Sequence, residues 1–92
     1  MLLPARTAVL NYLYSAKESS VDEIMQALKK DYGHERQFKE SLYLEHVMAL
    51  EANGLACLES YKLKKDGNLS LIYSITDDGR DAVEKYVSKK FR

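Results

Sequence analysis

The chain has 92 residues, 46% of them hydrophobic and 30% charged, and its 14 basic residues balance 14 acidic ones. This length predicts one domain over residues 1–92, and zero net charge gives no global attraction to nucleic acid, although a local basic patch is compatible with it. No apolar run approaches the roughly 18 residues that a membrane span needs, and the first ten residues do not resemble a signal peptide.

Two helices are predicted in the first third of the chain. Pro4 suits the first turn of a helix over about residues 4–16, because its missing N–H needs no partner there, and apolar residues follow at helical spacing. The second helix, over about residues 21–32, begins with a capping box: Ser20 caps the helix and Glu23 reaches back to it. Gly33 ends this helix.

A third helix, over about residues 38–53, runs directly into a strand. Tyr43, Val47 and Leu50 recur at i, i+4 and i+7, so they share one helical face. Gly54 stands where a residue with positive φ ends a helix, and Leu55 restarts the apolar pattern with a period of two. A helix joined to a strand without a linker requires that both pack in one core.

A hairpin and a last helix occupy the rest of the chain. Asp66-Gly67 is a turn signal between two strands, so the hairpin spans about residues 55–75. Thr76 caps a fourth helix over about residues 77–91, whose apolar stripe comprises Ala82, Val83, Tyr86, Val87 and Phe91. The predicted order is therefore α-α-α-β-β-α, a mainly α fold with a small β-hairpin, of the α+β class.

Two segments and this order indicate a fold family. The segment HVMALEANGL at residues 46–55 is similar to the end of a recognition helix, and YSITDDG at residues 73–79 is similar to a wing strand that runs into a helix. Together they resemble winged-helix (winged helix-turn-helix) transcriptional regulators of the MarR and PadR type and, more distantly, small winged-helix proteins of archaeal viruses. The resemblance implies a homodimer on double-stranded DNA, with the third helix in the major groove and the hairpin, or wing, on the phosphate backbone.

The exposed face of the third helix departs from that pattern. A major-groove reader usually offers Arg, Lys, Asn or Gln. The face opposite Tyr43 instead carries Ser41, Glu45, Met48 and Ala52, flanked by Gln37 and Leu44. Glu45 could accept a hydrogen bond from a cytosine amino group, and Leu44 could contact a thymine methyl. Alternatively, Leu44 and Met48 pack against protein. The predicted DNA-binding residues are Arg36, Gln37, Lys39, Ser41, Leu44, Glu45, Lys62, Lys64 and Lys65.

The wing is the more cationic part of this predicted surface. Lys62, Lys64 and Lys65 suit phosphate contacts, which supply affinity without sequence information. Arg36 and Lys39 add cations near a helix N-terminus, which itself favours phosphate. The alternative is a solvated turn whose lysines protect strand edges from aggregation.

Apolar residues at both ends of the chain exceed what one small core absorbs, and a domain of this size often gains stability by association. We therefore expect a homodimer formed by the first and fourth helices. Its predicted interface comprises Leu2, Leu3, Val9, Tyr12, Tyr86, Val87 and Phe91.

One cysteine excludes an internal disulfide and a cysteine-based zinc site, so we expect an intracellular, cytoplasmic protein. Cys57 is either a small apolar filler or half of an intersubunit disulfide. His34 and His46 have no ligand array around them, and no acid, base or nucleophile set is visible, so we predict no metal, cofactor or enzymatic activity.

Two function classes remain. The first is a dimeric winged-helix DNA-binding transcriptional regulator. The second is a winged-helix protein–protein interaction module without sequence-specific DNA binding. The wing lysines favour the first, and the apolar side chains on the outer face of the third helix favour the second.

Overall fold

A computed structural model describes residues 2–92, which form four α-helices and three β-strands. The strands make one antiparallel sheet in the order β1-β3-β2, so the fold is of the α+β class. A short 3₁₀ helix ends the chain. The bounds are α1 Ala5–Ala16, β1 Glu18–Ser20, α2 Val21–Tyr32, α3 Glu40–Ala52, β2 Ala56–Leu63, β3 Leu69–Ile75, α4 Asp77–Tyr86 and the 3₁₀ helix Lys89–Phe91.

Strand β1 corrects the predicted order, which becomes α-β-α-α-β-β-α. Its three residues pair with β3, with Glu18 opposite Ser74 and Ser20 opposite Ile72. The chain enters β1 through Lys17, whose φ of 71° makes a tight turn after α1. The sequence Glu-Ser-Ser has no apolar alternation, so its pairing with β3 leaves no periodic signal.

The predicted caps are present. Ser20 Oγ accepts a hydrogen bond from the Glu23 N–H at 3.1 Å, and Glu23 Oε1 accepts one from the Ser20 N–H at 3.0 Å. Gly54 has a φ of 76°, as its place after α3 requires. Thr76 Oγ1 accepts from the Gly79 N–H at 2.9 Å and donates to the Gly54 carbonyl at 2.7 Å. One hydroxyl group therefore joins the end of α3 to the start of α4.

Helix α4 ends at Tyr86, five residues before the predicted bound of 91. The next residue, Val87, has an extended backbone, with φ −101° and ψ 122°, and its side chain is buried. The apolar spacing that suggested a longer helix is therefore satisfied by an extended residue followed by the 3₁₀ helix. The side-chain amide of Asn11 in α1 donates to the Phe91 carbonyl at 2.8 Å and holds this end in place.

The core lies between the helices and one face of the sheet. Tyr43, Val47 and Leu50 are all buried, which confirms that they share the inward face of α3. Phe38 precedes α3 and packs edge-on against Tyr43, with ring centroids 5.3 Å apart. The largest fully buried side chains are Tyr43, Tyr73, Leu13, Ile24, Val9, Val47 and Val83.

Strand β2 contains a bulge at Glu59, where its register against β3 shifts between Leu58 and Ser60. A bulge inserts one residue, so side chains beyond it exchange sheet faces relative to strict alternation. We call the face that carries the buried Tyr73 the inner face. Lys62 lies on the opposite, outer face. Apolar side chains continue along the inner face of the hairpin as an apolar row, formed by Leu58, Tyr61, Leu63, Leu69 and Leu71.

Candidate nucleic-acid interface

The outward face of α3 is exposed but acidic. Ser41, Glu45 and Met48 are exposed along it. The helix sequence ESLYLEHVMALEA contains three glutamates and neither lysine nor arginine. Any attraction to phosphate must therefore come from cations outside α3.

Leu44 packs within its own chain. It is half-buried against the core cluster and lines a shallow cavity of about 50 Å³ between α2, α3 and the hairpin. The structure thus places Leu44 in an intramolecular contact rather than on the exposed face, where its predicted contact with a thymine methyl would require it. The cavity is lined by Val21, Asp22, Glu40, Leu44, Lys64, Leu69, Ser70 and Leu71.

Lys64 forms an ion pair with Asp22, in which Nζ lies 2.7 Å from Oδ2. The hydrogen bond to Asp22 raises the pKa of the Lys64 ammonium group. In this arrangement the Lys64 ammonium group contacts a carboxylate of its own chain, and its predicted phosphate contact stays a prediction. The pair holds the hairpin against the first turn of α2.

Of the remaining predicted cations, three lie near the start of α3 and one, Lys62, lies elsewhere. Arg36 and Lys39 are exposed in the segment before α3, and Lys65 is exposed at the hairpin tip. Glu40 and Lys64 line the same cavity, so their chain neighbours Lys39 and Lys65 come to the same end of α3. Gln37 is also exposed in that segment, whereas Lys62 lies on the outer sheet face, opposite Ser70 and away from the α3 surface.

His46 faces α1 rather than the exposed side of α3. Its Nδ1 accepts a hydrogen bond from Arg6 Nε at 3.1 Å, and its ring packs edge-on against Tyr43 at 5.2 Å. Burial, and then the positive charge of Arg6, lower the pKa of His46, so the ring is held neutral. Sequence reasoning did not identify this contact, since the two residues are 40 positions apart. Within residues 2–92, no group of three metal-binding side chains comes together.

Cys57 is a half-buried free thiol on the outer sheet face. Its Sγ donates to Glu59 Oε1 at 3.0 Å and lies 3.3 Å from Ser74 Oγ, which in turn donates to the same carboxylate oxygen at 2.6 Å. The hydrogen bond to Glu59 raises the pKa of Cys57, which disfavours the reactive thiolate. The intersubunit disulfide stays a prediction.

The predicted dimer residues separate into three groups. Val9 has no exposed surface and Val87 is only 3% exposed, so the prediction that these two line an interface is wrong: both are core residues of a single chain. Exposed apolar surface remains at Leu2 and at Tyr86, which is 75% exposed. The half-buried members pack against the core of their own chain: Leu3, Tyr12 and Phe91.

Among residues 2–92, most of the exposed large apolar side chains lie on the hairpin instead. Tyr61 is 67% exposed and Leu63 is 72% exposed, and both belong to the apolar row. Sequence reasoning missed this surface, although the spacing of Leu58, Tyr61 and Leu63 contains a signal: a step of three followed by a step of two indicates a bulge. Of the seven exposed large apolar side chains in the described part of the chain, five lie on the hairpin or on α3, namely Met48, Leu58, Tyr61, Leu63 and Leu69.

Comparisons with known proteins support the fold. No family model matches the chain, and no curated protein matches its sequence. The structure is similar to the crystal structure of the circadian clock associated protein Pex from anabaena, with a TM-score of 0.59 and 19% sequence identity, over 90% of this chain and 73% of that chain. At this level of identity the likeness shows a shared fold. No helix formed by residues 2–92 has the length and apolar character required to cross a membrane.

Proposed function

We propose that this chain is a winged-helix protein that binds double-stranded DNA as a transcriptional regulator, with α3 directed at the major groove. The observation that carries the proposal is that exposed cations from two segments lie near the N-terminal end of α3. Lys39 is the N-cap residue of α3 and Arg36 precedes it by three residues, whereas Lys65 follows Lys64, which lines the same cavity as Glu40, the first residue of α3. The fold that the chain shares with a circadian clock associated protein is compatible with a regulatory role.

Phosphate contacts by these three cations supply the affinity. Each neutralised phosphate contributes a slope of about −0.9 to the dependence of log K on log salt, so three contacts give roughly −3 per chain. The glutamates of α3 oppose phosphate, since α3 itself carries no lysine or arginine. We therefore expect weak binding that falls steeply as salt rises.

Base readout depends on two exposed residues of α3. Glu45 accepts a hydrogen bond from the cytosine N4 amino group, and Ser41 lies one turn earlier on the same face. Neither side chain forms a hydrogen bond or ion pair within the described residues, so both are available to a ligand. A second copy of the chain would double these contacts on a two-fold symmetric site.

A salt titration with duplexes of random sequence tests the phosphate contacts. Lys65→Ala and Lys39→Ala should each lower affinity for all sequences alike and flatten the slope of log K against log salt by roughly one. Lys62→Ala is the matched control, because Lys62 lies on the outer sheet face and its removal should leave the slope unchanged. Equal slopes for all three variants and the unmodified protein would remove the proposal.

Glu45→Ala tests base readout separately. A lost contact with cytosine should change the preference among duplexes by about 1–3 kcal/mol and leave the salt slope unchanged. If the variant instead binds every duplex more tightly by the same factor, Glu45 only repels phosphate and reads no base.

A second candidate function is protein binding through the surface between α3 and the hairpin. Met48, Tyr61 and Leu63 are exposed there, and apolar side chains of this size are unusual on a surface that meets only DNA. Absence of any salt-dependent DNA binding would make this second function the better one.

A further inference from the structure

Strand β2 lies at the edge of the sheet and has one unpaired side. In the sheet order β1-β3-β2, strand β2 has β3 on one side and no strand on the other among the described residues. It is eight residues long and exposed from Leu58 onward. Such an edge presents unpaired N–H and C=O groups that another strand can bind.

Met48 extends the apolar row of the hairpin onto α3. Leu44, Met48 and Glu51 lie on one stripe of the helix, at i, i+4 and i+7. Leu44 shares a cavity with Leu71, and Glu51 Oε1 accepts a hydrogen bond from the Tyr73 hydroxyl at 3.4 Å, so both ends of the stripe face β3. Met48 lies between them and therefore faces the same part of the hairpin.

We propose that the edge of β2 pairs antiparallel with the same edge of a second copy of this chain, around a two-fold axis at Tyr61. The two three-stranded sheets then continue into one sheet, and the apolar rows of both copies lie side by side on its inner face. The inference goes beyond DNA binding and does not depend on it, since none of the three proposed phosphate-binding cations, Arg36, Lys39 and Lys65, belongs to β2.

The alternation of side chains restricts the position of the axis. Residues directly opposite each other in an antiparallel pair lie on the same sheet face, so the axis must pass through a residue. An axis at Lys62 would place two lysines opposite each other, which is destabilising. An axis at Tyr61 instead places two tyrosines opposite each other and brings Leu58 of each copy opposite Leu63 of the other.

Charge complementarity supports the Tyr61 register. Glu59 lies on the outer face, because its carboxylate contacts Cys57 and Ser74 there, and Lys62 lies on the same face. Because Glu59 is the extra residue of the bulge, it and Ser60 together oppose one residue of a pairing strand. In the Tyr61 register that residue is Lys62 of the second copy, so the dimer contains two Lys62–Glu59 pairs.

Bulges and edge lysines ordinarily prevent strand pairing. In this chain the same two features favour a particular partner, since a strand with a carboxylate at the matching place forms an ion pair with Lys62. The partner that meets this condition in the proposed register is β2 itself. The chain also has zero net charge, so self-association carries no global repulsion.

Site-directed cross-linking tests the register. In a Cys57→Ser background, Tyr61→Cys places two thiols at the axis with their Cα atoms about 4.5–5.5 Å apart, within disulfide range. Mild oxidation should convert most of this variant to a covalent dimer. Tyr86→Cys in the same background is the matched control, because Tyr86 is at least as exposed as Tyr61 but lies on α4. Preferential cross-linking of Tyr86→Cys would overturn the proposal and favour a dimer through α1 and α4.

Charge exchange tests the Lys62–Glu59 pairs. Lys62→Glu and Glu59→Lys should each weaken the dimer on the order of tenfold, measured by sedimentation between roughly 1 μM and 1 mM, and the double exchange should restore it. Circular dichroism confirms that each variant is folded. A protein that stays monomeric throughout this range, or a double exchange as weak as either single one, would overturn the proposal.

The native cysteine provides an internal check. In the Tyr61 register Cys57 lies opposite Lys64 of the second copy, so the two Cys57 residues are far apart along the strands. The unmodified protein should therefore give no disulfide-linked dimer, and such a dimer would contradict this register. DNA binding by Lys62→Glu, measured at concentrations where the chain is monomeric, should equal that of the unmodified protein, which separates failure of this proposal from failure of the proposed function.

Discussion

The two halves of the β2–β3 hairpin follow one apolar pattern with opposite outcomes. We call the part of the hairpin before the bulge, residues 56–58 and 73–75, the inner half, and the part beyond it, residues 60–72, the outer half. In the inner half, Ala56 is paired with Ile75, and both are buried. In the outer half, Leu63 is paired with Leu69 on the same face, and both are exposed. The alternation determines which face a side chain occupies, whereas the helices packed against that face determine whether it is buried. An exposed apolar row therefore marks the part of the face that the chain leaves uncovered.

The two halves are also attached to the rest of the molecule by different interactions. In the inner half, α4 packs directly on the chain between α3 and β2, and Thr76 N–H donates to the Leu55 carbonyl at 3.1 Å. In the outer half, the attachment consists of the Lys64–Asp22 ion pair and the shallow contact with Leu44. Substitutions at one attachment or the other test whether the two halves differ in stability.

The largest effect is expected at Gly79 of α4, the helix that packs against the inner half. A Cβ atom at this buried position would overlap the Leu55 carbonyl oxygen and approach Ile75, so α4 would have to move off the core. Gly79→Ala should lower the free energy of unfolding by about 3 kcal/mol, measured by urea denaturation. Gly67→Ala in the outer half is the control: Gly67 has a φ of 88° but open space around it, so the expected loss is about 1–2 kcal/mol. A smaller loss at Gly79 than at Gly67 would contradict the comparison.

The glycines differ in how far their structural roles could be predicted from the sequence. A positive φ at Gly54 could be predicted, because a helix end and a strand start meet there in the chain. The close approach at Gly79 could not, since it depends on where α4 lies relative to Leu55. For the same reason, the ion pair between Lys64 and Asp22 has no local signal, whereas the capping box at Ser20 is complete within four residues.

The candidate site was predictable to a similar extent. Helical spacing correctly identified Ser41 and Glu45 as exposed. It could not show that Lys64 is bonded to a carboxylate, nor that the bulge turns Lys62 away from α3, because both depend on pairing between segments distant in sequence. Val87 was misassigned for a related reason: apolar spacing indicated a longer α4, whereas the residue is extended and buried.

An intermediate effect is expected at the start of α2, which contacts both β1 and the hairpin. Ser20 belongs to β1 and caps the helix, and Asp22 in the first turn holds the hairpin. Ser20→Ala should lower the free energy of unfolding by about 1 kcal/mol, because the Glu23 N–H loses its acceptor. Ser15→Ala, at an exposed site in α1, is the control and should change stability little.

The same capping box predicts a dependence on pH. The hydrogen bond from the Ser20 N–H lowers the pKa of Glu23 below its ordinary value of 4.5. This contribution to stability is therefore fully present above about pH 4.5 and is lost as pH falls through the lowered pKa. Glu23→Gln should remove that part of the acid dependence, measured as urea midpoints between neutral and acidic pH. An unchanged acid dependence in the variant would exclude Glu23 as its source.

The smallest effect on global stability is expected at Lys64, where the consequence should be local. Lys64→Met removes the ion pair that holds the outer half of the hairpin against α2 but keeps an apolar stem of similar length. Amide hydrogen exchange should accelerate in the outer half of the hairpin, at Tyr61, Leu63 and Leu69, and should not change at the buried Tyr73, because only the outer half opens.

Asp22→Asn should reproduce this pattern, and combining it with Lys64→Met should add nothing, since both substitutions remove the same interaction. Arg80→Met is the control, because it breaks only the exposed Asp77–Arg80 pair within α4, at 3.9 Å. Faster exchange at both Tyr73 and the outer residues would show that the hairpin unfolds as one unit, and the distinction between its halves would then lie in exposure alone.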